Sequence, residues 1–571
     1  MFIMLPAASL PKLSRFAPSG AARHRIALAA TASLHLAALG IMLWSEADLW
    51  ARTAFLLTWG FLNFFWLIIL RRPLPSAALS LAMIVVLILL SRFKHETLFL
   101  TASFVDLMIL DEDTVRFLLM IVPGLQASVV LAGALFVLVF AFGWWIDRYR
   151  VRTPISAAGG VSCIAALVWL SYAVPVDIDD KWVDNNYVSK FARSASVAIT
   201  EYFTRGILES DAAVTERLRI GAGETCRPPK RAPHIVMILD ESSFDMRLVP
   251  GVKVPEGYGR HFRSLDGKQR AFLAEGAGGP TWFTEFNVLT GLSSRSFGRF
   301  ADFVTRFAAG NIERGLPHAL ARCGYRTFSL YPWLGNFLGA RAFQASAGIG
   351  TFLDAKVLGS LDNEPDSFYF DAARRLIAEE RHKGPMFVFV YTMANHFPWW
   401  YRYKPELAPD WRDLGNAPEI DEYLRRQFMS ERDYREFRSR LEREFKGEPF
   451  LIVRFGDHQP IFAKHVIDPS LDGAGIAQRI AADDRRFFKT YYAIDAINFR
   501  PASLASAADP LDAPHLPLVV LEAAGLPLEA TFAEQKKIFQ RCNGLFHRCN
   551  NGAEARRFNR LLIDAGLIKN L

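Results

Sequence analysis

The sequence predicts a two-part molecule: a bundle of five membrane-spanning helices, then an α/β domain with a mostly parallel central sheet. Three observations carry that prediction. Of 571 residues, 51% are hydrophobic and 22% charged, with a mean hydropathy of +0.14; the apolar excess is concentrated in the first third, in stretches long enough to cross a bilayer core of roughly 30 Å. Beyond the first 230 residues, continuous apolar runs without alternation occur at His234–Leu239, Met386–Tyr391 and Phe450–Phe455, the pattern of strands buried on both faces of a parallel sheet. Helical patterns over Ile312–Cys323, Phe370–Arg381 and Glu422–Phe445 separate them, which is the alternation that builds α/β folds. A wholly cytosolic protein is excluded. The net charge of +8 does not point to nucleic acid, because the basic residues lie at membrane flanks or are mixed with acids.

The five spans lie near Ile26–Trp44, Thr53–Leu70, Ala77–Leu90, Leu125–Trp145 and Ala157–Val174. Thr97–Val122 is also apolar, but Asp106, Asp111, Glu112, Asp113 and Arg116 interrupt it; charges at bilayer depth are costly, so the spacing predicts an interfacial helix. Lys12, Arg15, Arg23 and Arg25 precede the first span, Arg71 and Arg72 follow the second, and Arg148, Arg150 and Arg152 follow the fourth. By the positive-inside rule the N-terminus faces the cytoplasm and everything after residue 175 faces outward. The expected location is therefore a bacterial cytoplasmic (inner) membrane, with the C-terminal domain facing the periplasm or cell exterior.

The expected divisions are a transmembrane domain over residues 1–175, a juxtamembrane linker over 176–230 and an extracytoplasmic domain over 231–571. Asp177–Asp211 is polar and partly amphipathic, and Arg227-Pro228-Pro229-Lys230 with Pro233 stops helical structure. Cys226, Cys323, Cys542 and Cys549 fall on the outer side, where disulfides persist. A Cys542–Cys549 bridge is expected, with Cys226–Cys323 as a second candidate.

Ligands in open α/β sheets bind beyond the carboxyl ends of the strands, and the three apolar runs end in Asp240-Glu241-Ser242, in Asn395-His396-Phe397-Pro398 after Thr392, and in Gly456-Asp457-His458. Singly these are a helix cap, a buried histidine and a turn aspartate. Their shared position makes them a candidate site for a divalent metal. A fourth element, Gly276-Ala277-Gly278-Gly279-Pro280-Thr281 followed by Glu285, places a hydroxyl at a helix start, among free amide donors that favour an anion.

Together, Asp240-Glu241-Ser242, Gly279-Pro280-Thr281 with Glu285-Phe286, Asn395-His396-Phe397-Pro398 and Gly456-Asp457-His458 behind five spans resemble the lipoteichoic-acid-synthase-like, phosphoglycerol transferase branch of the alkaline phosphatase and sulfatase superfamily. The resemblance implies an alkaline-phosphatase/sulfatase-like α/β domain. It also implies one manganese or zinc ion held by Glu241, Thr281, Asp457 and His458, with Thr281 as covalent nucleophile. His396 and Asn395 fall to substrate binding, as do Trp333 and Arg341, which match the family pattern only with a gap. A one-residue slip would put Asp240 in place of Glu241. The implied reaction moves phosphoglycerol from a phospholipid, phosphatidylglycerol, to a glycan or lipid-linked acceptor of the periplasm or cell envelope. Alternatives are phosphoethanolamine transfer, phosphodiester or sulfate-ester hydrolysis, and an inactive envelope sensor. Trp282-Phe283 replaces the small polar residues usual after the nucleophile, and a sulfatase's CxPxR-type motif is absent from this position.

Overall fold

A computed structural model describes residues 20–109, 112, 115, 119, 124–174, 181–218, 226, 231–360 and 363–571. Five helices in it are long and apolar enough to cross a membrane: α1 (Gly20–Ser45), α2 (Leu49–Leu70), α3 (Pro73–Leu98), α4 (Leu125–Ile146) and α5 (Thr153–Ala173). Local signals set their ends. Asp48 caps α2 by accepting from the Ala51 amide, Arg71 closes it in a left-handed conformation, and Pro73 opens α3, where a missing N–H costs nothing.

The sequence expectation of one interfacial helix over 97–122 is corrected in its first part. Helix α3 runs on to Leu98 and stops because Phe99 turns left-handed (φ 59°) with its amide on the His95 carbonyl. A 3₁₀ turn follows at Phe104–Ile109, and most of 110–123 lies outside the described residues. Asp106 in that turn is not lipid-facing: it sits 2.8 Å from Lys94 of α3. The amphipathic stretch of the linker forms α6 (Tyr187–Thr204), seated against α2, α3 and α5. Its first turn is held by Glu46, whose carboxylate accepts from the Val188 amide and the Ser189 hydroxyl.

The C-terminal part is built on an eight-stranded sheet, in the order β4-β3-β5-β1-β6-β7-β2-β8. The strands are β1 (His234–Asp240), β2 (Arg270–Leu273), β3 (Arg326–Leu330), β4 (Thr351–Leu353), β5 (Met386–Tyr391), β6 (Phe450–Gly456), β7 (Lys489–Ile497) and β8 (Leu511–Asp512). The three apolar runs are neighbours at its centre: β1 pairs in parallel with β5 on one side and β6 on the other, and all three are buried along their whole length. Two-sided burial needs cover on both faces. It comes from α7 (Thr281–Thr290), α8 (Ala340–Ser346), α9 (Asp366–Glu380), α10 (Pro418–Glu444) and α11 (Leu516–Ala523). Strand β7 runs antiparallel to β6. Both expected disulfides are closed, Cys226–Cys323 and Cys542–Cys549.

Candidate active site

The parallel register fixes the geometry. Asp240 is opposite Gly456 across β1 and β6, so the next residues, Glu241 and Asp457, leave the sheet side by side. One ligand atom from each of Glu241, Asp457 and His458 lies within 4.8 Å of the others, and all three residues are buried. Ser242, in the left-handed region at φ 49°, folds back over the pair: its amide donates to Asp457 Oδ1 at 2.8 Å and its hydroxyl to Glu241 Oε1 at 2.7 Å. Thr281, the first residue of α7, completes the group, with Oγ1 3.4 Å from Glu241 Oε2 and 3.3 Å from His458 Nε2.

These residues fit a divalent cation. Burial, together with the neighbouring Asp457, holds the Glu241 carboxyl well above the usual range, and burial likewise raises Asp457; two carboxylates forced together out of water ask for a positive charge between them. His458 Nδ1 is 2.8 Å from the Gln459 carbonyl, which fixes the proton there and leaves the Nε2 lone pair facing the carboxylates, the arrangement of a metal-ligating imidazole. Nε2 is 3.2 Å from Asp457 Oδ2, a buried oxygen that makes no hydrogen bond.

Asp240 is turned elsewhere. Its Oδ2 is 2.7 Å from His261 Nε2 and also takes the Tyr491 hydroxyl, so in this register Glu241 is the carboxylate that joins Asp457 and His458. His396 stands at the end of the adjoining β5 and packs edge-on against Trp333, with ring centroids 5.5 Å apart. Burial pushes its imidazole down to about 4, so it is neutral near pH 7, and with Nδ1 2.8 Å from the Phe397 carbonyl its Nε2 is an acceptor. Asn395 is buried behind this loop, its carbonyl taking the Trp399 indole N–H. The structure does not bring in Arg341: its guanidinium pairs with Asp354 and lies over the Phe352 ring.

Sequence reasoning missed the cavity to which these groups belong. It has a volume of 1240 Å³, and its wall includes Glu241, Thr281, Trp333 and His396 at one end and apolar side chains of α2, α3, α5 and α6 at the other. Two further wall residues are Glu285, on α7, and Tyr391, at the end of β5. The Glu285 carboxyl, buried and bonded by Gln344, is pushed up to about 7 by desolvation. Gly279 is obligatory at the approach to Thr281: at φ +126° a Cβ there would stand 3.0 Å from Leu98 Cα and from the Thr97 carbonyl oxygen of α3.

Parts of the chain are similar to known proteins. Residues 233–481 match the family model described as Sulfatase. The capsular polysaccharide biosynthesis protein RkpI of Rhizobium meliloti is 29% identical over 258 residues, which are 43% of this chain and 45% of that protein; the chain spans less than half the length of the curated relatives it matches. Among solved structures, the phosphoglycerol transferase GacH of Streptococcus pyogenes shares 16% identity at a TM-score of 0.46, over 60% of this chain and 87% of that one. The lipooligosaccharide phosphoethanolamine transferase A of Neisseria meningitidis, an integral membrane protein, shares 11% identity at a TM-score of 0.41, over 83% of this chain and 95% of that one. The chain thus carries a sulfatase-family domain over residues 233–481, behind five helices long and apolar enough to cross a membrane.

Proposed function

We propose that the protein is a membrane-bound, metal-dependent transferase that moves phosphoglycerol from phosphatidylglycerol to a glycan of the periplasm or cell envelope through a covalent intermediate on Thr281. The observation that carries this reading is the single cavity shared by the Thr281 cluster and the apolar faces of α2, α3, α5 and α6. At 1240 Å³ it exceeds the roughly 300–1,000 Å³ of small-ligand clefts, and its wall suits acyl chains. A nucleophile at one end and membrane helices at the other fit a donor whose head group must react while its tails stay out of water. Residues 1–175 are the membrane part in this reading, 176–230 the linker and 231–571 the outward-facing catalytic domain, with the arginines near residues 71 and 150 on the cytoplasmic side.

Glu241, Asp457 and His458, with Thr281 Oγ1, would hold one manganese or zinc ion. Bound there, it supplies positive charge that lowers the pKa of the Thr281 hydroxyl and offsets charge on the phosphate oxygens. Thr281 Oγ1 attacks phosphorus, its bond to phosphorus forms as the bond to the diacylglycerol oxygen breaks, and the hydroxyl proton ends on the departing oxygen. In the second half an acceptor hydroxyl displaces Thr281 and returns a proton to it. His396, in the cavity wall, is the residue we assign to relaying these protons. The similarity to a capsular polysaccharide biosynthesis protein supports a glycan acceptor.

The test is incubation of the purified, metal-loaded protein with labelled phosphatidylglycerol and phosphatidylethanolamine. Diacylglycerol released from phosphatidylglycerol, with labelled phosphoglycerol trapped on Thr281, is the expected result. Release from phosphatidylethanolamine alone would reassign the head group, and release from neither would end the transferase reading.

A further inference from the structure

Glu285 and Tyr391 are buried polar residues in the wall of a cavity whose remaining wall is largely apolar, and Gln344, itself fully buried, bridges them. Glu285 follows Thr281 by four residues on α7, which places their Cβ atoms about 5–6 Å apart on one helix face. That is the reach of a small substituent on a phosphate joined to Thr281. Gln344, from α8, donates from Nε2 to Glu285 Oε1 at 2.8 Å and to the Tyr391 hydroxyl at 2.9 Å, which commits both of its donors. Its Oε1 is left buried without a partner, although the residue is fully buried. Polar atoms in such a place are costly unless a partner arrives.

We propose that Glu285 and Tyr391, bridged by Gln344, are the subsite for the distal hydroxyls of a neutral polyol head group. This rests on the transferase reading above and deepens it by naming the groups that read the substrate. Gln344 bonds both Glu285 and Tyr391, which also bond each other, and among the described residues neither bonds a basic side chain. A vicinal diol offers two donors and two acceptors, which suits a carboxyl group and a phenol hydroxyl side by side in the wall. A primary ammonium offers three donors and no acceptor, and would leave the Tyr391 proton competing with it for the carboxylate. Sites that hydrogen-bond a substrate hydroxyl discriminate strongly against analogues without it.

The experiment is calorimetric binding of glycerol phosphate, phosphoethanolamine and inorganic phosphate to the full-length, manganese-loaded protein and to its Tyr391→Phe and Glu285→Gln variants. Both variants are expected to lose about tenfold or more in affinity for glycerol phosphate, a hydrogen-bond-sized effect, and to bind inorganic phosphate and manganese within about twofold of wild type. Equal losses for glycerol phosphate and inorganic phosphate would make the trio structural and overturn the subsite. A larger loss for phosphoethanolamine would overturn the polyol class, and unchanged affinities would overturn both. Because binding is read without turnover, a wild-type protein that holds glycerol phosphate through this trio but releases no diacylglycerol from phosphatidylglycerol would refute the transferase reading and leave the subsite standing.

Discussion

Two adjacent carboxylates at the end of β1 have opposite duties because a strand alternates its side chains across the sheet. Asp240 points to His261 and Tyr491, while Glu241 joins Asp457 and His458. The sequence shows the pair but not which member faces which side; only pairing with β6 decides it. The roles separate experimentally. Thr281→Ala should abolish lipid turnover, a loss of about 10³-fold or more for a missing nucleophile, yet keep metal, since a hydroxyl is the weakest of the four proposed ligands. Asp457→Asn should lose metal first, with activity following. Asp240→Asn should retain stoichiometric metal by elemental analysis, and metal lost there but kept in Glu241→Ala would reverse the assignment. Arg341, which fits the family pattern only with a gap, is held by Asp354.

At the scale of elements, the sequence marked what each segment buries and left open what it buries against. The runs that became β1, β5 and β6 were legible because burial on both faces removes alternation. Strands β2 and β7, with polar residues among the apolar ones, carried no such signal. The C-terminal elements carry two stability predictions. His515 precedes α11 fully buried, its Nε2 3.0 Å from the Leu545 carbonyl and its Nδ1 without a partner, and burial pushes its pKa down to about 4. A histidine depressed in the folded state takes its proton more readily when unfolded, so its effect is absent above the unfolded pKa of about 6.5 and grows as pH falls, to about 3 kcal/mol of lost stability near pH 4. Thermal unfolding from pH 7 to pH 4 should show that slope, and His515→Gln should flatten it. The two disulfides differ in the loop each closes, 97 residues apart for Cys226–Cys323 and 7 for Cys542–Cys549. By chain entropy the first contributes about 4–5 kcal/mol and the second about 2–3 kcal/mol. Replacing the first pair by serines should therefore lower the melting temperature more than replacing the second.

Across the whole molecule, the third membrane helix reaches Thr281 from both sides, a contact between distant segments that sequence patterning could not reveal. Upstream of Thr281, Gly279 lies against the backbone of Thr97 and Leu98. Downstream, Trp282 donates its indole N–H to the Asp302 carbonyl at 2.9 Å, and the Asp302 carboxylate is held by Lys181 at 2.9 Å and by Lys94 of α3 at 3.4 Å. These charges are largely buried, where an ion pair is screened little and its loss exposes an uncompensated charge. Helix α3 is therefore a strut for the Thr281 loop, so the proposed nucleophile takes its geometry from the membrane part. Lys94→Met should speed amide exchange across residues 277–285 and lower kcat about tenfold, or about 1.4 kcal/mol in the barrier, with a soluble phosphodiester as much as with lipid, while metal content stays unchanged. Lys94→Arg should recover most of the rate, because the charge and its pairing with Asp302 survive. Gly279→Ala should act in the same direction and more strongly, since neither the α3 backbone nor a φ of +126° can accommodate a methyl group. If Lys94→Met instead raised KM for the lipid alone and left exchange and soluble-substrate turnover at wild-type values, α3 would be serving the donor and not the nucleophile.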